Sequence, residues 1–286
     1  MKNAIEVKRL IKKYKNGFQL GEVDIEILEG TIVGLIGENG AGKTTFIKSL
    51  LGIIMPDSGS IKIFDKEYKK NENIIKEDIG VVLDNMFFPE VLNANDINYT
   101  MSGIFKNWDS KLFYQYLDEF KLEKNKPLKM LSKGMRKKLE IATAMSHHSK
   151  LLILDEPTSG LDPVVRSEIL DLFLKFIQDE EHTILLSTHI TTDLEHIADK
   201  IIFLDKGKKV LDEPRDSIMD DYAMLKCDID YFEKIEKADI IRYRKNKYNY
   251  EILVKQKEKM KNKYKECVLD NITLENLMLL IIKGEK

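Results

Sequence analysis

Two cysteines, Cys227 and Cys267, stand alone in 286 residues, and neither belongs to a CxxC pair. That scarcity excludes a disulfide framework and a cysteine-built metal cluster, and it fits a reducing compartment. The five histidines, His147, His148, His182, His189 and His196, form no HExxH pattern or Cys/His array, which argues against a structural metal. No apolar run reaches the roughly 18 residues of a membrane helix, and no hydrophobic segment follows Met1-Lys2-Asn3. The expectation is a soluble, cytoplasmic chain that meets a membrane only through a partner. Internal repeats and low-complexity linkers are missing as well.

Charge bias is nearly absent: the formal net charge is −2, with 33% charged residues, so no global field favours nucleic acid. The exception lies between Lys226 and Lys265, where 13 Lys/Arg face 7 Asp/Glu and tyrosines 231, 243, 248, 250 and 264 are interleaved. Such a segment reads as an RNA or lipid surface or, as the plainer alternative, as the solvated face of a lysine-rich small domain. With 43% hydrophobic residues the chain can build one large domain and a smaller appendage.

Against this background one block is dense in chemistry. Gly37-Glu38-Asn39-Gly40-Ala41-Gly42-Lys43-Thr44-Thr45 follows the apolar run Ile32-Val33-Gly34-Leu35-Ile36. A glycine-rich loop between a buried strand and a helix turns backbone N–H groups toward phosphates. Lys43 supplies a point charge for the β/γ oxygens, and the Thr44 hydroxyl is a Mg²⁺ ligand. The helix that Thr44 begins aims its positive end at the same anion.

Before this loop, alternation such as Val23-Asp24-Ile25-Glu26-Ile27 predicts half-exposed antiparallel strands, and Ser60–Phe64 and Ile79–Leu83 read as further strands. Residues 95–147 are helical in pattern, with breaks near Gly103 and Pro127. Buried parallel strands follow at Leu151–Leu154, Thr183–Ser187 and Ile201–Leu204, separated by helices at about 164–178 and 192–198. A domain boundary is expected near Pro214, dividing residues 1–214 from an accessory domain at 215–286. The apolar segment Leu274–Ile282 is expected to pack as a terminal helix.

Leu151-Leu152-Ile153-Leu154 ends in Asp155-Glu156-Pro157, two carboxylates placed for Mg²⁺ chemistry. Asp155 would bind the metal directly or through water, and Glu156 would act on the water attacking the γ-phosphate as general base or orienter. His189, after the next strand, faces the ligand crevice at the carboxyl edge of an open α/β sheet, where it could donate to a γ-phosphate oxygen or that water. The block from Leu131 to Lys138 opens a helix with a serine hydroxyl and free N–H groups, another anion-binding end.

Together these blocks resemble the ATP-binding subunit of an ABC transporter over about residues 4–214. Gly37–Thr45 resembles the Walker A loop, Leu151–Glu156 the Walker B strand, and Leu131–Met135 the signature sequence. Ser159–Pro163 is similar to the D-loop, His189 to the switch histidine, and Tyr14 to the aromatic that stacks on adenine. The resemblance implies an α/β P-loop NTPase core with a parallel sheet, an N-terminal antiparallel β subdomain, a helical signature subdomain and a small C-terminal α+β extension. It further implies ATP and Mg²⁺ as ligands, and a head-to-tail dimer, homo- or heteromeric, in which Ser132, Lys133 and Gly134 act in trans. Permease subunits would hold it at the inner face of the cell membrane.

Two positions depart from the family pattern. Lys133 replaces the first signature glycine, where it either helps hold the γ-phosphate or points to solvent, and Asp84 replaces a glutamine that contacts Mg²⁺ and water. A carboxylate still ligates Mg²⁺, but its charge beside the γ-phosphate can slow hydrolysis. The Leu-Ser-Lys-Gly-Met signature looks like a Gram-positive exporter branch, similar to YtrB-type and bacitracin-resistance ATPases. The segment Asp84–Asn98, with Phe87, Phe88 and Pro89, would help form the groove that receives a coupling helix of a membrane subunit; the alternative is that its aromatics are ordinary core. The alternative reading is a soluble or regulatory ABC-type ATPase with slow hydrolysis, acting on ribosome or RNA.

Overall fold

The computed structural model describes residues 2–84 and 88–285; Phe87 of the expected docking groove lies outside them. The chain forms two compact units, one of residues 1–190 and 202–210, the other of 191–201 and 211–286.

In the first unit, β1 (Asn3–Lys13) and β2 (Gln19–Leu28) pair antiparallel with Ile5 opposite Ile27 and Val7 opposite Ile25. Alternation puts Val23, Ile25 and Ile27 inside and the intervening acids outside. β3 (Ile32–Ile36) is buried at every position, as a strand covered on both faces must be, and leads into α1 (Lys43–Leu50). β4 (Ser58–Ile63) and the short β5 (Lys66–Glu67) complete a sheet of order β2-β1-β4-β5, followed by α2 (Tyr68–Glu77) and β6 (Ile79–Val82).

Three helices form a separate small core. α3 (Ala94–Ile104) starts at a capping box between Asn93 and Asp96, and α4 (Ser110–Glu119) starts at the Asp109 cap. Ser132 caps α5 (Lys133–Met145) by accepting the Met135 N–H. Phe113, Leu117 and Leu139 pack between them. After α5, β7 (Leu151–Asp155), α6 (Pro163–Phe176), β8 (Thr183–Ser187), α7 (Thr191–Ile197), β9 (Lys200–Asp205) and β10 (Lys208–Pro214) follow in turn. They complete a six-stranded sheet of order β10-β9-β3-β8-β7-β6, in which β3–β8, β8–β7 and β7–β6 run parallel. The carboxyl ends of these parallel strands therefore share one edge, which fixes where a ligand can sit.

The second unit adds α8 (Arg215–Asp221), β11 (Tyr222–Asp228), β12 (Arg242–Lys245), β13 (Asn249–Lys255), α9 (Lys257–Lys263), β14 (Val268–Asn271) and α10 (Leu274–Lys283). Its antiparallel sheet has the order β12-β13-β11-β14. The terminal helix packs on α7, and the Leu274 N–H donates to Glu195 Oε1 at 2.6 Å. Much of the basic stretch is paired within the unit, Lys226 with Asp270, Arg244 with Glu251 and Lys263 with Glu236 and Asp239. Tyr243 and Tyr250 pack against Phe232, which is how a structural domain uses aromatics.

Candidate functional site

The loop between β3 and α1 winds around its own lysine. Lys43 begins the helix one residue earlier than the sequence pattern placed it, because Gly42 takes a left-handed φ of 111° as N-cap. The Lys43 ammonium is only 6% exposed, donates to the Gly37 carbonyl at 2.7 Å, and reaches Glu38 O at 3.4 Å. Burial lowers its pKa from the ordinary lysine value, while Glu156 and then Asp155 oppose that shift. A buried cation held by carbonyl dipoles is a strong attractor for an anion. Glu38, Asn39, Gly40 and Thr44 are exposed, whereas Gly37, Ala41 and Gly42 are buried beneath them.

The register of β7 with β8 sets Asp155 opposite Ser187. Asp155 is 3% exposed, and its Oδ1 accepts the Ser187 hydroxyl while Oδ2 accepts the Thr44 hydroxyl at 3.1 Å. One hydroxyl and one fixed carboxylate, adjacent at the end of a strand, make a hard-oxygen donor set that fits Mg²⁺. Ser187 is a functional contact that the sequence did not reveal as such, since its partner depends on strand register.

Glu156 follows Asp155 with a left-handed φ of 53°, a strained setting for a residue with a side chain. Its N–H donates to Ser187 O at 2.9 Å, which holds that turn. Its carboxylate lies 4.0 Å from the Lys43 ammonium and 2.7 Å from His189 Nδ1. His189 is itself exposed, so its second ring nitrogen is open to a ligand. Lys43, Thr44, Asp155, Glu156 and His189 are thus drawn from the carboxyl ends of β3, β7 and β8, or just beyond them, onto one sheet edge. Asp84 stands exposed just beyond β6 at that edge.

Tyr14 lies in the turn after β1, outside the strand, with its hydroxyl 3.4 Å from Thr45 Oγ1. With Phe18, Gly40, Gly42, Thr44 and Thr45 it lines an open pocket of about 430 Å³. The signature turn is elsewhere, on the helical subdomain. Gly134 is buried there against Val165, and the Lys133 ammonium lies over Gly160 of the Ser159–Pro163 loop, where a side chain at Gly160 would meet it. Asp162 of that loop caps α6, accepting the N–H groups of Val164 and Val165.

An ABC transporter domain model matches residues 20–159. The bacitracin transport ATP-binding protein BcrA of Bacillus licheniformis is 35% identical over 223 residues, 76% of this chain and 72% of that protein. The chain belongs to the ABC transporter ATP-binding family. This ABC ATPase is also 34% identical to the lantibiotic transport ATP-binding protein SrtF of Streptococcus pyogenes, over 74% of this chain and 91% of that one. Its fold matches cbiO1 of Clostridium perfringens, part of an ABC transporter complex, with a TM-score of 0.65 and 27% identity over 76% of this chain and 91% of that one. The family binds and hydrolyses ATP, as this ABC ATPase does. Among the described residues of the ABC ATPase, no helix is long and apolar enough to cross a membrane.

Proposed function

We propose that two ATPase subunits of this kind close head to tail around ATP and power an exporter from the inner face of the membrane, bound there through permease subunits. The observation that carries this reading is the separation of two half-sites. The Lys43–Asp155–Glu156–His189 cluster is complete on the sheet edge, yet the signature serine caps a helix of another subdomain. Ser132 uses one lone pair for its cap and keeps its O–H for a phosphate oxygen of a partner's ATP. Two relatives named for bacitracin and lantibiotic transport support export.

In this reading the phosphate loop cradles the triphosphate, Tyr14 stacks on the base, and Lys43 holds the β/γ oxygens. Thr44 and Asp155, with Asp84 nearby, would hold Mg²⁺, which screens the phosphate charge. Glu156 orients and accepts a proton from the attacking water, and His189 keeps that carboxylate in place. Residues 1–214 would constitute the ATPase domain and 215–286 an accessory domain.

Mixing two inactive variants tests the trans arrangement. Lys43→Met destroys one subunit's ATP site but leaves its signature, and Ser132→Arg does the reverse. Each alone should be inactive, while an equimolar mixture should regain about a quarter of wild-type turnover through statistical heterodimers. A mixture as inactive as its components contradicts the arrangement.

A further inference from the structure

In the basic run Arg136-Lys137-Lys138 after the signature, Lys137 is only 6% exposed. Its ammonium donates to the Leu83 carbonyl at 3.0 Å and lies 2.7 Å from Glu140 Oε2. The second contact is a buried ion pair within α5, between side chains one turn apart. Burial raises the Glu140 carboxyl pKa against the pull of Lys137. Leu83, Phe88, Met101, Phe105, Glu140 and His147 line a mostly apolar cavity of about 240 Å³ beside this pair.

A buried lysine is costly, and one that is held by an ion pair on its own helix and donates to a backbone carbonyl fixes that carbonyl firmly. The carbonyl is significant because Leu83 directly precedes Asp84, at the end of the sheet's edge strand. On the other side, Lys137 belongs to the first turns of α5, whose N-cap is Ser132. One buried bond therefore joins the backbone that carries Asp84 to the helix that carries the signature.

We propose that Lys137 is a positioning residue for Asp84, its buried bond to the Leu83 carbonyl holding the backbone that carries the Asp84 carboxylate against the signature helix. This rests on the reading that Asp84 and the signature turn belong to the two faces of the ATP sandwich. Without Lys137 the ATP cradle is intact and α5 still packs on β6, but the Leu83 carbonyl loses its buried donor and Asp84 is held less firmly.

The test is a Mg²⁺ titration of ATP turnover with the full chain in four forms: wild type, Asp84→Asn, Lys137→Met and the double variant. Lys137→Met should lower kcat about tenfold with KM for ATP changed less than about twofold, and should shift the Mg²⁺ midpoint as Asp84→Asn does. In the Asp84→Asn background it should add less than about a twofold loss, because both changes act through one group. Full additivity, or an unmoved Mg²⁺ midpoint with only a lower melting temperature, overturns the proposal. If Lys137→Met does not fold, Lys137→Met/Glu140→Met replaces the ion pair by apolar chains and carries the same expectations. Wild-type turnover with an unaffected Lys137 variant sinks the positioning role alone; no turnover in the wild type sinks the ATPase reading beneath it as well.

Discussion

His189 Nδ1 lies 2.7 Å from Glu156 Oε2, and the other oxygen of the same carboxylate lies 4.0 Å from the Lys43 ammonium. The carboxylate is bracketed by an exposed ring on one side and the buried Lys43 ammonium on the other. In the proposed mechanism, attacking water and γ-phosphate meet at that bracket. His189→Ala should therefore cut kcat by about 10²-fold while ATP affinity changes less than about twofold, read by steady-state turnover and nucleotide titration. Equal losses in binding and turnover would place His189 in ground-state binding instead.

Tyr14 borders the open pocket beside Gly42 and Thr45. Removing a stacking ring costs about 1 kcal/mol, so Tyr14→Ala should weaken ATP binding about fivefold and leave kcat nearly unchanged. A fluorescence titration with a labelled nucleotide checks this.

The turn between β9 and β10 braces the phosphate loop, since Gly207 N–H donates to Ala41 O at 2.9 Å. Gly207 has φ of 78°, and a Cβ there would lie 1.9 Å from Gln19 O. Gly207→Ala should destabilise the protein by about 1–3 kcal/mol in chemical denaturation and weaken nucleotide binding with it.

His147 is buried, stacks on Phe105 at 4.0 Å and pairs through Nε2 with Ile79 O at 3.1 Å. Burial holds its pKa below the ordinary 6.5, against backbone hydrogen bonds and Glu77, with His148 adding to the lowering. The folded state thus keeps the ring neutral, and unfolding frees it to take a proton. Its contribution is fully present above pH 6.5 and is lost as pH falls below it. Melting temperatures between pH 7 and about pH 5 should fall more steeply for wild type than for His147→Gln.

The phosphate loop, the Asp155–Glu156 strand end and His189 were legible in the sequence because each follows a short, fully apolar run that only a buried strand explains. Ser187 was not, because a serine ending such a run gains its role from the strand opposite. The burial of Lys137 and Lys138 was not legible either, Lys138 being paired with Glu168 from α6. Helix phase alone does not reveal a salt bridge to a partner thirty residues away. The order β12-β13-β11-β14 was equally hidden, since these short strands lack the sustained alternation that marks β2.

The central claim is that one ATP site is completed by two subunits and emptied by Glu156. Light scattering after size exclusion, on Glu156→Gln with and without MgATP, tests it most directly. The account predicts a monomer without nucleotide, a stable dimer with two trapped ATP per pair, and turnover reduced by at least about 10²-fold. A monomer under both conditions, or near-normal hydrolysis by the variant, would contradict it.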